Sequence, residues 1–283
     1  MKKRICCFIL AFILIAICQA GCGKKDNGMK KVVLNEVAHS IFYAPQYVAI
    51  EMGYFKDAGI DLVLETGFGA DKTMTALISG NADIGFMGSE STIYAYAEGS
   101  KDYAVNFAGL TQRAGNFLVA REKIDNFSWD MVKGKNVLGG RKGGMPQMVL
   151  EYILKANNID PASDLSIDQS VDFGLTAGAF SGNTEYDFTV EFEPGATSLE
   201  KEGKGYVVAS LGVDSGYVPY TAYSAKKSYI EKNPEIIKDF TSAIQKGLDY
   251  VNSHSSAEIA KVIAPQFEDT DIDTITTIVE RYK

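Results

Sequence analysis

The chain has 283 residues, of which 46% are hydrophobic, 23% charged and 11% aromatic, with 27 glycines and only 7 prolines. This is the profile of a globular protein with one large or two medium domains, and it excludes collagen-like, low-complexity and largely disordered chains. A net charge of −8 gives no electrostatic support to a nucleic-acid-binding face, and two histidines far apart, His39 and His254, argue against a histidine-rich metal site.

Residues 1–21 read as an export signal. Lys2, Lys3 and Arg4 precede an unbroken apolar run over 5–18, too short for a membrane-spanning helix but suited to a signal core. The run ends at Gln19-Ala20-Gly21-Cys22, which resembles a bacterial lipoprotein signal and implies that Cys22 is lipid-modified after cleavage in front of it. Gln19 departs from that pattern, where an aliphatic residue is usual. Loss of 1–21 removes three cations and no acid, taking the net charge from −8 to −11. All four cysteines (Cys6, Cys7, Cys18, Cys22) lie within the first 22 residues, so the body after Cys22 can hold neither a disulfide nor a thiolate metal site. Residues 22–30, rich in Lys, Gly and Asn, read as a solvated tether.

From residue 31 short apolar runs alternate with amphipathic ones. Strands are expected over 31–36, 60–66, 82–87 and 103–110, with helices over 44–55, Pro45 in the first turn, and over 71–79, stopped by Gly80. A second series gives strands at 116–121, 135–139, 187–192 and 206–210, with helices at 145–157 and 194–203. After a short strand at 221–225 the pattern is helical, over 228–230, 234–253, 256–264 and 271–282. Strands separated by single helices predict parallel βαβ units. The order predicts two α/β lobes, the second (114–214) inserted into the first (31–113 and 215–283), with chain crossings near Arg113 and Asp214. Ligands in such sheets bind beyond the carboxyl ends of strands, here in a cleft between the lobes.

Residues 40–61, SIFYAPQYVAIEMGYFKDAGID, and 76–88, ALISGNADIGFMG, resemble the solute-binding components of bacterial ABC importers, nearest the binders of thiamine pyrimidines, alkanesulfonates and nitrate. The shared marks are Ala44-Pro45, Gly53-Tyr54-Phe55 and the Gly-x-Ala-Asp-Ile-Gly at residues 80–85. The resemblance implies a type II periplasmic-binding-protein fold, a small-molecule solute and membrane permease subunits as partners, an extracytoplasmic, membrane-anchored location, and a monomer without cofactor or metal. Eukaryotic relatives make the thiamine pyrimidine with a histidine and a cysteine-rich motif. A body without cysteine is therefore not expected to be an enzyme of that kind.

The loops after strands supply the candidate binding residues. His39 either hydrogen-bonds a ligand or caps its own turn, and Phe42 and Tyr43 either stack on a planar ring or fill the core. Phe68 and Gly69 open the next helix with a Gly-x-Gly that lets backbone N–H groups approach a bound group. Ser89 reads as a helix cap and Glu90 as an acceptor. The glycine-dense run GGRKGGMP offers Arg141, Gly143 and Gly144 to an anionic or carbonyl group, although its spacing is not that of a phosphate loop. Glu191 and Glu193 fall on one side of their strand and would take the amino hydrogens of a heterocycle, unless one pairs with a neighbouring cation. Tyr220 stands at the second crossing. The expected solute is small, planar and nitrogen-containing, of the thiamine-precursor aminopyrimidine kind. A sulfonate, taurine or nitrate is the alternative if Arg113 and Arg141 line the cleft instead.

Overall fold

The computed structural model describes residues 28–172 and 174–283. The expected signal, Cys22 and most of the tether lie outside them. The first lobe begins with β1 (Lys30–Glu36), a short 3-10 turn (Ile41–Tyr43), α1 (Ala44–Glu51) and α2 (Tyr54–Asp57). The helix expected over 44–55 is thus two, because Gly53 takes a left-handed φ of 74° between them. There follow β2 (Ile60–Thr66), α3 (Ala70–Ser79), β3 (Ile84–Gly88), α4 (Glu90–Ala97) and β4 (Ala104–Thr111). The second series holds β5 (Phe117–Ala120), β6 (Asn136–Leu138), α5 (Met145–Ala156), β7 (Ser166–Asp168), α6 (Thr176–Gly182), β8 (Phe188–Glu191), α7 (Gly195–Lys201), β9 (Tyr206–Ser210) and α8 (Leu211–Asp214). The chain ends through β10 (Thr221–Lys226), α9 (Lys227–Lys232), α10 (Pro234–Ser253), α11 (Ser256–Ile263) and α12 (Ile272–Tyr282).

Two five-stranded sheets result, ordered β2-β1-β3-β10-β4 and β7-β6-β8-β5-β9. The parallel pairing expected from the βαβ rhythm holds for β1 with β3 and for β6 with β7 and β8. It fails for β10, which runs against β3 and β4, and for β5, which runs against β8 and β9. These are the two strands that follow a crossing between sheets. Each enters its sheet from the junction side, without a helical crossover to reverse it, and so runs opposite to its neighbours.

The first core gathers Leu34, Ile84, Phe86 and Tyr223 with Phe240 from α10 and Ile259, Ile263, Ile275 and Ile278 from α11 and α12. Phe86 stacks on Tyr223 at 4.3 Å between centroids. Alternation splits the second sheet cleanly: Leu118 and Ala120 belong to one cluster with α5, and Phe117 and Val119 to another with Phe180 and Leu199. In α10, Ile236, Phe240, Ala243, Ile244 and Gly247 form the buried stripe. Gly247 sits so close to α1 that a Cβ there would stand 2.1 Å from the Pro45 carbonyl oxygen. Gly247→Ala should therefore force the two helices apart and lower the unfolding free energy by about 1–3 kcal/mol, measurable by urea denaturation.

Candidate functional site

Two adjacent chambers lie between the lobes, sharing Ala38, Ser40 and Phe192 as wall. The inner one is small, about 40 Å³, and mostly apolar, bounded by Tyr43, Glu90, Met145, Pro146, Tyr220 and Thr221 among others. The outer one, about 270 Å³, is lined by His39, Asn116, Arg141, Thr176, Glu191 and Glu193 with neighbouring small residues. Several contacts join the lobes here. The Ser40 hydroxyl donates to the Glu193 carbonyl at 3.0 Å and the Met145 N–H to Glu90 at 3.1 Å. Arg141 pairs with Asp71 at 3.0 Å, and the Tyr94 hydroxyl meets the Met148 sulfur at 3.4 Å.

Glu90, first residue of α4, is buried at 6% exposure. Its Oε1 accepts the Met145 N–H, its Oε2 is buried without a partner, and burial pushes its pKa up to about 7. Glu191, last residue of β8, is buried too. It accepts from the hydroxyls of Thr176 at 2.9 Å and Thr189 at 2.6 Å, and burial again raises its pKa to about 7, the nearby Glu193 adding to the shift. Asn116, for which the sequence offered no signal, accepts from the Tyr220 hydroxyl at 2.9 Å and leaves its Nδ2 buried and unpartnered. Phe192 lines both chambers. Tyr43 and Tyr220 are buried phenols on the inner wall, and burial raises both pKa values.

Several expected roles change. Glu193 is not an open acceptor: Thr197 donates to it through N–H and hydroxyl, both at 2.9 Å, and Arg281 pairs with it at 2.6 Å. The strand stops at Glu191, so its two-residue alternation does not extend to Glu193. His39 is committed within its own lobe, Nδ1 to Glu36 at 2.8 Å and Nε2 to the Gln266 carbonyl at 2.7 Å, and the Glu36 contact raises its pKa against the effect of burial. Phe42 packs among Tyr43, Phe192, Tyr220 and Tyr282 at the junction of the lobes, where Gly115 leaves room for its ring. Ser89 does not cap α4, because its hydroxyl donates to the Pro219 carbonyl at 2.5 Å.

The arginines and glycines shift as well. Arg113 is exposed, hydrogen-bonded to the Gly212 carbonyl at 2.9 Å and laid over Tyr217 at 4.3 Å, outside both chambers. Phe68, 58% exposed, borders neither chamber. The glycine N–H groups expected to meet a ligand are used inside the protein: Gly69 donates to the Val37 carbonyl, Gly143 to Gln147, and Gly144 to the Arg141 carbonyl. Gly143 faces a separate groove beside Asp71 and Tyr94. Arg141 does reach the outer chamber, shared between Asp71 and Asp172. Among the described residues no helix is long and apolar enough to cross a membrane, and no three His, Cys, Asp or Glu side chains gather to hold a metal ion.

Residues 41–257 match the family described as NMT1/THI5 like. The chain belongs to the NMT1/THI5-like family. YtlA of Bacillus subtilis (strain 168), whose name describes it only as a binding protein, is 48% identical over 283 residues, all of this chain and 84% of that one. The 4-amino-5-hydroxymethyl-2-methylpyrimidine phosphate synthase of Candida albicans (strain WO-1) is 24% identical over 239 residues, 75% of this chain and 64% of that one. Among solved structures, the periplasmic aliphatic sulphonate binding protein SsuA of Escherichia coli superposes with a TM-score of 0.72 at 16% identity, covering 89% of this chain and 83% of that one. The two-lobed α/β architecture of this NMT1/THI5-like chain is thus that of the periplasmic binding proteins.

Proposed function

We propose that this NMT1/THI5-like protein is the solute-binding receptor of an ABC importer. In this reading it is exported, anchored by lipid on Cys22, and closes its lobes over an aminopyrimidine-like solute before handing it to the permease. The observation that carries the reading is chemical. Among the described residues Glu90 Oε2 and Asn116 Nδ2 are buried without a hydrogen-bond partner, while Arg141 Nη1, also buried and without a hydrogen bond, has an ion pair with Asp172 at 3.5 Å; all three residues line the cleft. A polar group left wholly unpaired costs about 1–3 kcal/mol, so Glu90 Oε2 and Asn116 Nδ2 on one cleft favour a solute that supplies partners.

The pair asks for both a donor, for Glu90, and an acceptor, for Asn116. An amino-substituted nitrogen heterocycle carries both on one flat frame, and Tyr43 and Phe192 in the cleft offer it aromatic faces. The likeness in name to YtlA supports a binding role over the synthase chemistry of the more distant Candida relative. A sulfonate or nitrate is the second reading, favoured by Arg141 and by the SsuA-like fold. Against it, such an anion offers only acceptors, Glu90 and Glu191 face it, and Arg141 is already shared by two aspartates.

Thermal unfolding of the full chain in mild detergent tests this, with aminopyrimidine thiamine precursors, thiamine, taurine, other sulfonates and nitrate as additives. An aminopyrimidine at 100 times its Kd should add about 2.7 kcal/mol of stability, roughly 5–10 °C. A shift with sulfonates alone would transfer the assignment to the second reading.

A further inference from the structure

Glu90 stands where the two lobes meet, and its two oxygens face different tasks. Oε1 accepts the N–H of Met145, the first residue of the 12-residue α5 in the other lobe. That helix has no side-chain cap of its own, since Gly144 precedes it, and Pro146 carries no N–H, so Glu90 satisfies the first orphan donor from across the cleft. Oε2 is buried without a partner, and Glu90 lines the inner chamber with Tyr43, Pro146, Phe192 and Tyr220. The pose depends on Gly88. The carboxylate folds back over it so closely that a Cβ at 88 would stand 2.2 Å from Oε2 and 2.5 Å from Oε1.

We infer that Glu90 is the specificity-determining residue of the cleft, capping α5 with one carboxyl oxygen and reading an N–H of the solute with the other. The inference rests on the receptor reading above. In a mostly apolar chamber, a ring that puts a methyl group against Oε2 leaves a buried acceptor unpaired, whereas an amino group pairs it. Sites built to hydrogen-bond one substrate group reject analogues lacking it by large factors for this reason. The same carboxylate links recognition to the joining of the lobes, because its cap to α5 exists only when the lobes meet.

Calorimetric titration of the full chain compares 4-amino-2-methylpyrimidine with 2,4-dimethylpyrimidine, in which a methyl replaces the amino group. The wild type should favour the amino compound by about 100-fold or more. Glu90→Gln keeps an oxygen for Met145 and turns a donor toward the ring, so it should lose that preference and favour 2-methylpyrimidin-4-one instead. Gly88→Ala leaves the glutamate in place but displaces its carboxylate, and should cut the preference to within about tenfold. A purely structural Glu90 would lower affinity for all rings alike. An amino preference unchanged in both folded variants would overturn the inference and leave the receptor reading standing. Binding of none of these rings, with binding of taurine, would overturn both the inference and the aminopyrimidine reading, and transfer the receptor to a sulfonate.

Discussion

Replacing Arg281 with methionine should lower the unfolding free energy by about 3–5 kcal/mol and the melting temperature by about 10 °C. Arg281 lies in α12, and its guanidinium reaches Glu193 at 2.6 Å and Glu200 at 2.8 Å. The Glu193 side chain is fully buried, while that of Arg281 keeps 26% of its surface exposed. Methionine keeps much of the side-chain bulk over Phe117 but leaves a buried carboxylate with only the Thr197 N–H and hydroxyl to hold it. The cost is that of an uncompensated buried charge rather than of a lost contact. Adding Glu193→Gln to the same chain should therefore recover a large part of the loss, and calorimetry of the four proteins measures the coupling. Equal melting temperatures for wild type and Arg281→Met would show that this pair does not hold α12 in place.

Stability should also fall as pH rises from about 5 to 7.5. Burial raises the pKa values of Glu90 and Glu191 to about 7, whereas in the unfolded chain they titrate near 4.3. Between those values the folded protein retains protons that the unfolded chain releases. The associated stability is complete below about pH 4.3 and is lost as pH passes 7, up to about 3 kcal/mol for each carboxyl. His39, raised by its contact with Glu36, acts in the same direction at the upper end of the range. On the acid side Asp271 opposes them: its hydrogen bonds to Thr274 lower its pKa to about 2, so its contribution is lost as pH falls through that value. Melting temperature followed across pH 4–8 should be highest at the acid end of that range and fall towards pH 8. Glu191→Gln should flatten roughly half of the decline, and an unaltered slope in that variant would place the proton elsewhere.

Much of the fold was legible because its signals are local. The bounds of α10 follow from Pro234 at its first turn and a stripe of apolar residues at helical spacing. The left-handed Gly80 marks the end of α3 as expected, whereas the helix expected over 44–55 ran through the break at Gly53. What escaped was short or lacked a period: β7 has three residues, and α6, TAGAFSG, offers small residues and one phenylalanine without a repeating face. Strand direction escaped as well, since β5 and β10 take theirs from the junction between sheets rather than from their own sequence. In the cleft, residue type was readable and commitment was not. Glu90, Glu191 and Glu193 all read as acceptors, but their availability depends on Met145, on Thr176 and Thr189, and on an arginine 88 positions away. Asn116 is one polar residue among many until the fold buries it beside Tyr220.

The placement of Arg281 and Tyr282 also sets an order of assembly. Tyr282 donates its hydroxyl to the Gly115 carbonyl at 2.8 Å, receives the Glu193 N–H at 3.3 Å, and lays its ring near Phe117 at 5.7 Å. Every strand of the second sheet is synthesised by residue 210, yet its fastening waits for residues some seventy positions later. A nascent chain must therefore keep Glu193 without its cation, and the Gly115 carbonyl without its donor, until α12 has been made and has docked. A protease that cuts after Glu280 would return the molecule to that unfinished state at a stroke, removing both fastenings while leaving every strand of both sheets in the chain.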